Sequence, residues 1–160
     1  MVAPRMISRA LGIATLTALA ATASAQQRPE YGTSVTTDQA KKIAAAVVAE
    51  CLSNKWNVAV AVVDTAGNLV YFERIENTQT ASMDIAIMKA RAAATYRRPT
   101  RAFVDAIAKG GPAIMTLPGV VASPGGLPIM VDGKVTGGVG VSGVTGDQDE
   151  QCSKAGLSAM

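Results

Sequence analysis

The chain contains no histidine. That absence removes the imidazole on which Ser-His-Asp and Cys-His catalysis, histidine-rich zinc centres and histidine-ligated haem depend. Aromatic residues are also scarce, at 4% of 160 residues. A core drawn from this composition has to close by approach of backbone and small side chains, since native packing density leaves no room for voids. Nor is there an excess of one charge. Lys and Arg number 15 against 12 Asp and Glu, and without Arg5 and Arg9 the balance is 13 to 12, a net +1. The sequence pI near 9.0 therefore owes part of its value to the first residues. A nucleic-acid footprint needs basic residues clustered on one face. The one basic run here, Arg97, Arg98 and Arg101 around Pro99, reads instead as a helix C-terminus with solvated cations. Beyond the N-terminus, no stretch approaches the ~20 apolar residues of a membrane-spanning helix.

What is present begins with an address. Arg5 and Arg9 form a positive n-region, residues 10–20 a short apolar core, and Ala23-Ser24-Ala25 a small-residue cleavage site. Residues 1–25 read as a secretory signal peptide, with Gln26 starting the mature chain and a periplasmic or secreted location. No membrane insertion is expected after cleavage. A flexible segment over 26–35 leads to a single domain over 36–160, long enough to bury about two-thirds of its unfolded surface. The two cysteines, Cys51 and Cys152, fall near the end of the first expected helix and in the last one. Export places them where disulfides persist, and a bridge between them is expected. The alternatives are two buried free thiols, or a pair reactive towards metal or peroxide.

Periodicity gives the order α-β-β-α-α-β-β-β-α. Ala40, Ile43, Ala44, Val47 and Val48 recur at helical spacing behind Thr36 and Thr37, two N-cap candidates. Val-rich residues 56–63 and residues 69–75 flank the turn formers Asp64, Gly67 and Asn68, a hairpin. A helix over 82–97 puts Met83, Ala86, Ile87, Ala90, Ala93 and Ala94 on one face, with Lys89 and Tyr96 at a flank. Pro99 ends it, Thr100 caps a short helix over 101–109, and Gly110-Gly111 stops that one. The Gly/Pro-rich segment 110–127 is expected to hold a short edge strand. Residues 128–131 and 135–142 pair across Asp132-Gly133. Asp147 opens the last helix, with Glu150 completing an acidic variant of the capping box. The expected fold is α+β, a five-stranded antiparallel sheet with helices on one face.

Few residues announce chemistry. The run Gly137-Gly138-Val139-Gly140-Val141-Ser142-Gly143 lacks a Walker lysine and the strand-turn-helix setting of a dinucleotide fingerprint. The acids that follow it would repel an anion at the helix start. Close packing of strand on helix explains these glycines better. The alternative reserves the amides of 143–146 for a carboxylate. Asp64 reads as a turn former, and Glu73, Arg74 and Glu76 as solvent-facing. Lys89 reads as one half of a structural ion pair with Asp84 or Glu76, and Met83 and Met88 as core fillers.

Three stretches carry a resemblance: 61–76 (AVVDTAGNLVYFERIE), 84–100 (DIAIMKARAAATYRRPT) and the C-terminal GGLPIMVDGKVTGGVGVSGVTGDQDEQCSKAG. Together they resemble the GlcG/HbpS family, also called haem-binding-protein-like or DUF336, over roughly 36–157. The resemblance implies a sheet with a PAS- or profilin-like layout. It also implies a small module that forms homo-oligomers and binds a small-molecule ligand, with haem or a related tetrapyrrole the best-known one. On that footing Arg74 lies near the cleft and binds an anionic group, Lys89 matches a recurrent Lys-Ala pair, Met83 offers a soft haem-facing contact, and Tyr96 an oxygen ligand for ferric iron. The absent histidine departs from relatives that ligate iron through one. Two other functions stay open: an enzyme acting on a small organic acid, aldehyde or aromatic metabolite through Lys89, Arg74, Asp64 or Asp84, and a cofactor-free accessory protein.

Overall fold

Thr36 opens the first helix, α1 (Thr37–Ser53), by a reciprocal cap: its hydroxyl accepts the Gln39 N–H at 3.2 Å, and the Gln39 side chain accepts the Thr36 N–H at 2.9 Å. The computed structural model describes residues 27–160, so the signal-peptide reading over 1–25 lies outside the described residues. After α1 come β1 (Ala59–Val63), β2 (Leu69–Arg74), α2 (Ser82–Tyr96), α3 (Arg101–Ala108), a 3-10 helix (Pro112–Thr116), β3 (Gly126–Val131), β4 (Lys134–Ser142) and α4 (Gly146–Ser158). Asp64 shapes the β1–β2 turn by accepting the N–H groups of Ala66 at 2.9 Å and Asn68 at 2.8 Å. Asp132 and Gly133 join β3 to β4 with φ of 49° and 74°, the positive values a tight two-residue hairpin requires.

The sheet is antiparallel with order β2-β1-β4-β3. Four strands stand where five were expected. Of segment 110–127, residues 126–127 belong to the start of β3 and the rest is a 3-10 turn and coil instead of a separate edge strand, because Pro112, Pro118 and Pro124 cannot donate to a ladder. The expectation of helices on one face is also corrected. Val58, Val60 and Val62 pack with Val139 and Val141 into a core that includes Ile43, Val47 and Cys152 from α1 and α4. Ala59, Ala61 and Val63 face the other way, against Ala86, Ala90 and Ala94 of α2. Every residue of β1 is buried, which is why its sequence is continuously apolar rather than alternating.

The alanine layer lets α2 lie unusually close to the strands. A Cβ on Gly138 would fall 2.4 Å from the Ala90 carbonyl oxygen, and one on Gly140 would fall 2.1 Å from that of Ala86. The glycine run thus serves helix–sheet contact. On the opposite face Cys51 and Cys152 form a disulfide between α1 and α4, with Cα atoms 5.8 Å apart.

Three local expectations change. The last helix is capped by Thr145 with Gln148, not by Asp147 with Glu150; those two acids hold Arg101 instead. Thr100 does not cap α3. Its hydroxyl donates to the Ser123 carbonyl at 2.6 Å and accepts the Gly126 N–H at 3.0 Å. The segment read as a flexible lead-in over 26–35 is tied to β4 in its second half: Val135 N–H donates to Glu30, Gly32 N–H to Val135, and Val35 N–H to Thr136.

Candidate functional site

Lys89 lies in the interior. Its side chain is 1% exposed, and Nζ donates to Asp149 Oδ2 at 2.8 Å and to the Val141 carbonyl at 3.1 Å. Neither Asp84 nor Glu76 is its partner. Asp149, in the first turn of α4, accepts the Val144 N–H on its other oxygen at 3.2 Å. Of the amides weighed above for a foreign carboxylate, that of Val144 is met by Asp149 and that of Thr145 by the Gln148 side chain at 3.1 Å. Burial pushes the Asp149 carboxyl above its ordinary value, against the opposing pull of Lys89 and the amides of Val144 and Gly143. A lysine so enclosed does not reach a ligand at the surface.

Arg74 and Met83 do come together. The antiparallel register pairs Ala61 with Phe72 and Ala59 with Arg74, so these β2 side chains share the face that α2 covers. Arg74 Nη1 stands 3.9 Å from Met83 Sδ. Phe72 and Ile87, both half-buried, pack on the alanine layer beneath. Because β2 is an edge strand, the result is an apolar ledge, open on one side, with a cation and a thioether at its end. Met88, grouped with Met83 as a core filler, points outward at 48% exposure.

Tyr96 lies at the far end of α2, about 20 Å of helix rise from Met83. Its hydroxyl donates to the Pro118 carbonyl at 2.7 Å, and its ring meets Phe103 edge-on at 5.3 Å. The four candidate residues therefore occupy three places. A cleft of about 450 Å3 between residues 32–39 and the β3–β4 turn, lined by Thr33, Ser34, Gln39, Asp132 and Lys134 among others, contains none of them.

Sequence reading missed Asp149, Phe72 and Ile87. Asp149 was findable: Thr145 and Gln148 spell the cap themselves, which leaves the acid behind them free for another task. Among the described residues no group of three or more acidic or cysteine side chains is placed to hold a metal ion, and no helix is long and apolar enough to cross a membrane.

Comparison with known proteins gives a consistent picture. The family model for HbpS-like proteins, described as haem degrading protein HbpS-like, matches residues 35–158. An uncharacterized 15.0 kDa protein from the dhaT-dhaS intergenic region of Citrobacter freundii is 36% identical over 130 residues, 79% of this chain and 92% of that protein. Protein GlcG of Escherichia coli K12 is 36% identical over 106 residues, 64% of this chain and 79% of its own length. A double mutant of HbpS from Streptomyces reticuli has a similar crystal structure, with TM-score 0.75 at 31% identity, covering 92% of this chain and 99% of that one.

Proposed function

The chain belongs to the HbpS-like family, and from that premise we propose that it is an exported small-ligand-binding protein whose ligand is haem or a related tetrapyrrole. The observation that carries the reading is the family match over 35–158, nearly the whole described domain. The ledge between β2 and α2 is the part of this chain whose chemistry fits such a ligand. A tetrapyrrole presents a flat apolar ring and anionic propionates. Phe72 and Ile87 offer apolar contact, and Arg74 a guanidinium for charge-assisted bonds to a carboxylate.

Haem, when bound, supplies iron as a Lewis-acidic and redox centre. The chain's own residues would hold and orient it: Met83 would offer the soft contact at the ledge, and the sequence contains no imidazole to compete with it. Lys89, enclosed with Asp149, contributes by fixing α2 rather than by touching the ligand. Tyr96, bonded to Pro118 at the other end of the helix, lies outside the ledge.

Export is supported by Arg5, Arg9, the apolar 10–20 stretch and Ala23-Ser24-Ala25, and by a disulfide suited to an oxidising compartment. A homo-oligomer belongs to the same reading. Met88, Met115 and Leu117 stand 48%, 52% and 47% exposed and are candidate contacts for such an assembly. Haemin titration tests the ligand. Intact mass of exported protein, starting at Gln26, tests the address, and light scattering tests the assembly. A retained N-terminus in the exported fraction would remove the first of these supports, and a species of monomer mass alone would remove the last.

A further inference from the structure

We propose that Arg91 is a second anion anchor of the ledge, opposite Arg74, so that the ligand seated there is a flat apolar body with acidic groups at both ends. Among tetrapyrroles this selects a ring carboxylated on opposite edges over one whose carboxylates share an edge. The inference rests on the ledge between β2 and α2 being the ligand site, and adds the chemistry that the site selects.

The ledge has two ends. Arg74 and Met83 form one, at the close of β2 and the start of α2. At the other, the β1–β2 turn meets the middle of α2. There Arg91 Nε donates to the Gly67 carbonyl at 2.9 Å. A Cβ on Gly67 would lie 3.4 Å from Arg91 Cγ, so the turn runs against the arginine stem.

Between these ends the floor is apolar. The register pairs Val63 with Leu69 and Ala61 with Phe72, which puts Leu69 and Phe72 on the face of the alanine layer, where Ile87 also packs. Leu69 is 45% exposed. Met83, Ile87 and Arg91 follow at steps of four residues, so they run along one side of α2. From Met83 to Arg91 is about 12 Å of helix rise, and from Leu69 to Arg74 about 16 Å of strand. A ligand of that length touches both cations.

Neither cation is neutralised within the fold. Among the described residues the ion pairs engage Lys89, Arg101, Lys134 and Lys154, but not Arg74 or Arg91. Asp64, the acid of the adjoining turn, is taken up by the N–H groups of Ala66 and Asn68 and the Asn68 side chain. Asp84, beside Met83, is exposed and pairs with neither arginine. An exposed helix arginine ordinarily trails into water and contributes little. Arg91 instead has its planar fork fixed at the turn through Nε, which leaves the terminal nitrogens for a carboxylate. The two propionates of haem leave neighbouring pyrroles, so they reach one arginine and leave the other unmet.

The test compares two iron-free porphyrins by absorbance titration at constant ionic strength, so that metal ligation plays no part. Coproporphyrin III carries a propionate on every pyrrole, and protoporphyrin IX carries two on neighbouring ones. The expected result is saturable coproporphyrin binding about tenfold tighter than that of protoporphyrin, the effect of one added charge-assisted contact. The preference should vanish in Arg91→Ala and persist in Lys41→Ala, exposed on α1. Arg91→Gln removes the charge but keeps an amide donor for the Gly67 carbonyl. It carries the test if the alanine variant does not fold, and loss of the preference there separates ligand binding from support of the turn. Protoporphyrin binding as tight as coproporphyrin binding, or a preference that survives in Arg91→Gln, would overturn the proposal and leave the haem reading standing. If neither porphyrin nor haemin binds, calorimetry with terphenyl dicarboxylate, acidic at both ends, decides alone. Arg91-dependent binding then keeps the two-ended site and discards the tetrapyrrole, and no binding discards both.

Discussion

Lys89 and Asp149 meet at 2.8 Å with 1% and 2% of their side chains exposed. The pair joins α2, on one face of the sheet, to α4, on the other. It passes beside Gly125, where an added Cβ would lie 2.8 Å from Asp149 Cβ and 3.0 Å from Lys89 Nζ. Four elements therefore depend on one contact: α2, α4, the Val141 end of β4 and the turn before β3.

Breaking such a pair from one side leaves a charge buried alone. Lys89→Ala or Asp149→Ala should each destabilise the protein by about 3–5 kcal/mol, whereas the joint change to Met and Leu should cost much less. Urea denaturation of the three variants measures this. Equal losses for single and joint variants would contradict it.

The carboxyls of Asp149 and Asp64 should titrate on opposite sides of their ordinary value of 3.8. Burial raises Asp149. Its protonated form is then favoured by the folded state, so its contribution to stability is greatest below 3.8 and declines as pH rises through the raised value. Asp64 runs the other way. Partial burial pushes it up, but the bonds from Asn68, Ala66 and Gly67 outweigh that push and lower it. Its contribution is present above 3.8 and fades as pH falls through the lowered value. Carboxyl 13C titration resolves the two midpoints, and a reversed order would refute both assignments.

The disulfide closes a sequence separation of 101 residues. Replacing both cysteines by alanine should cost up to ~4–5 kcal/mol in the chain-entropy model. Non-reducing peptide mapping should recover the linked Cys51 and Cys152 peptides. Two freely alkylated thiols in folded protein would contradict the bridge.

Gly140→Ala should fail to fold or lose several kcal/mol, because the added methyl meets the backbone of α2, which has no rotamer to yield. Gly133→Ala, where nothing lies within 4 Å but φ is 74°, should cost only about 1 kcal/mol of backbone strain. Thermal unfolding separates them.

Most elements were legible in the sequence because their signals are local. The Thr36 cap, the Asp64 turn and the Asp132-Gly133 hairpin are each decided within a few residues. The 82–97 helix was found for the same reason, one residue short of its expected end. What misled was long-range. Lys89 was assigned a partner within reach along the chain, and its true partner lies sixty residues away. The ledge was half legible: Arg74 and Met83 were read separately, and only the strand register brings Phe72 and Ile87 beside them.

The most direct test of the haem reading is a haemin titration of the mature protein followed in the Soret region. The expected result is a saturable change with a broad or high-spin band, since no imidazole is present. Arg74→Ala should weaken it about tenfold, the loss of one charge-assisted contact of ~1.4 kcal/mol, and Tyr96→Phe should leave the spectrum unchanged. A titration with no saturable spectral change, in protein shown to be folded, would contradict the account.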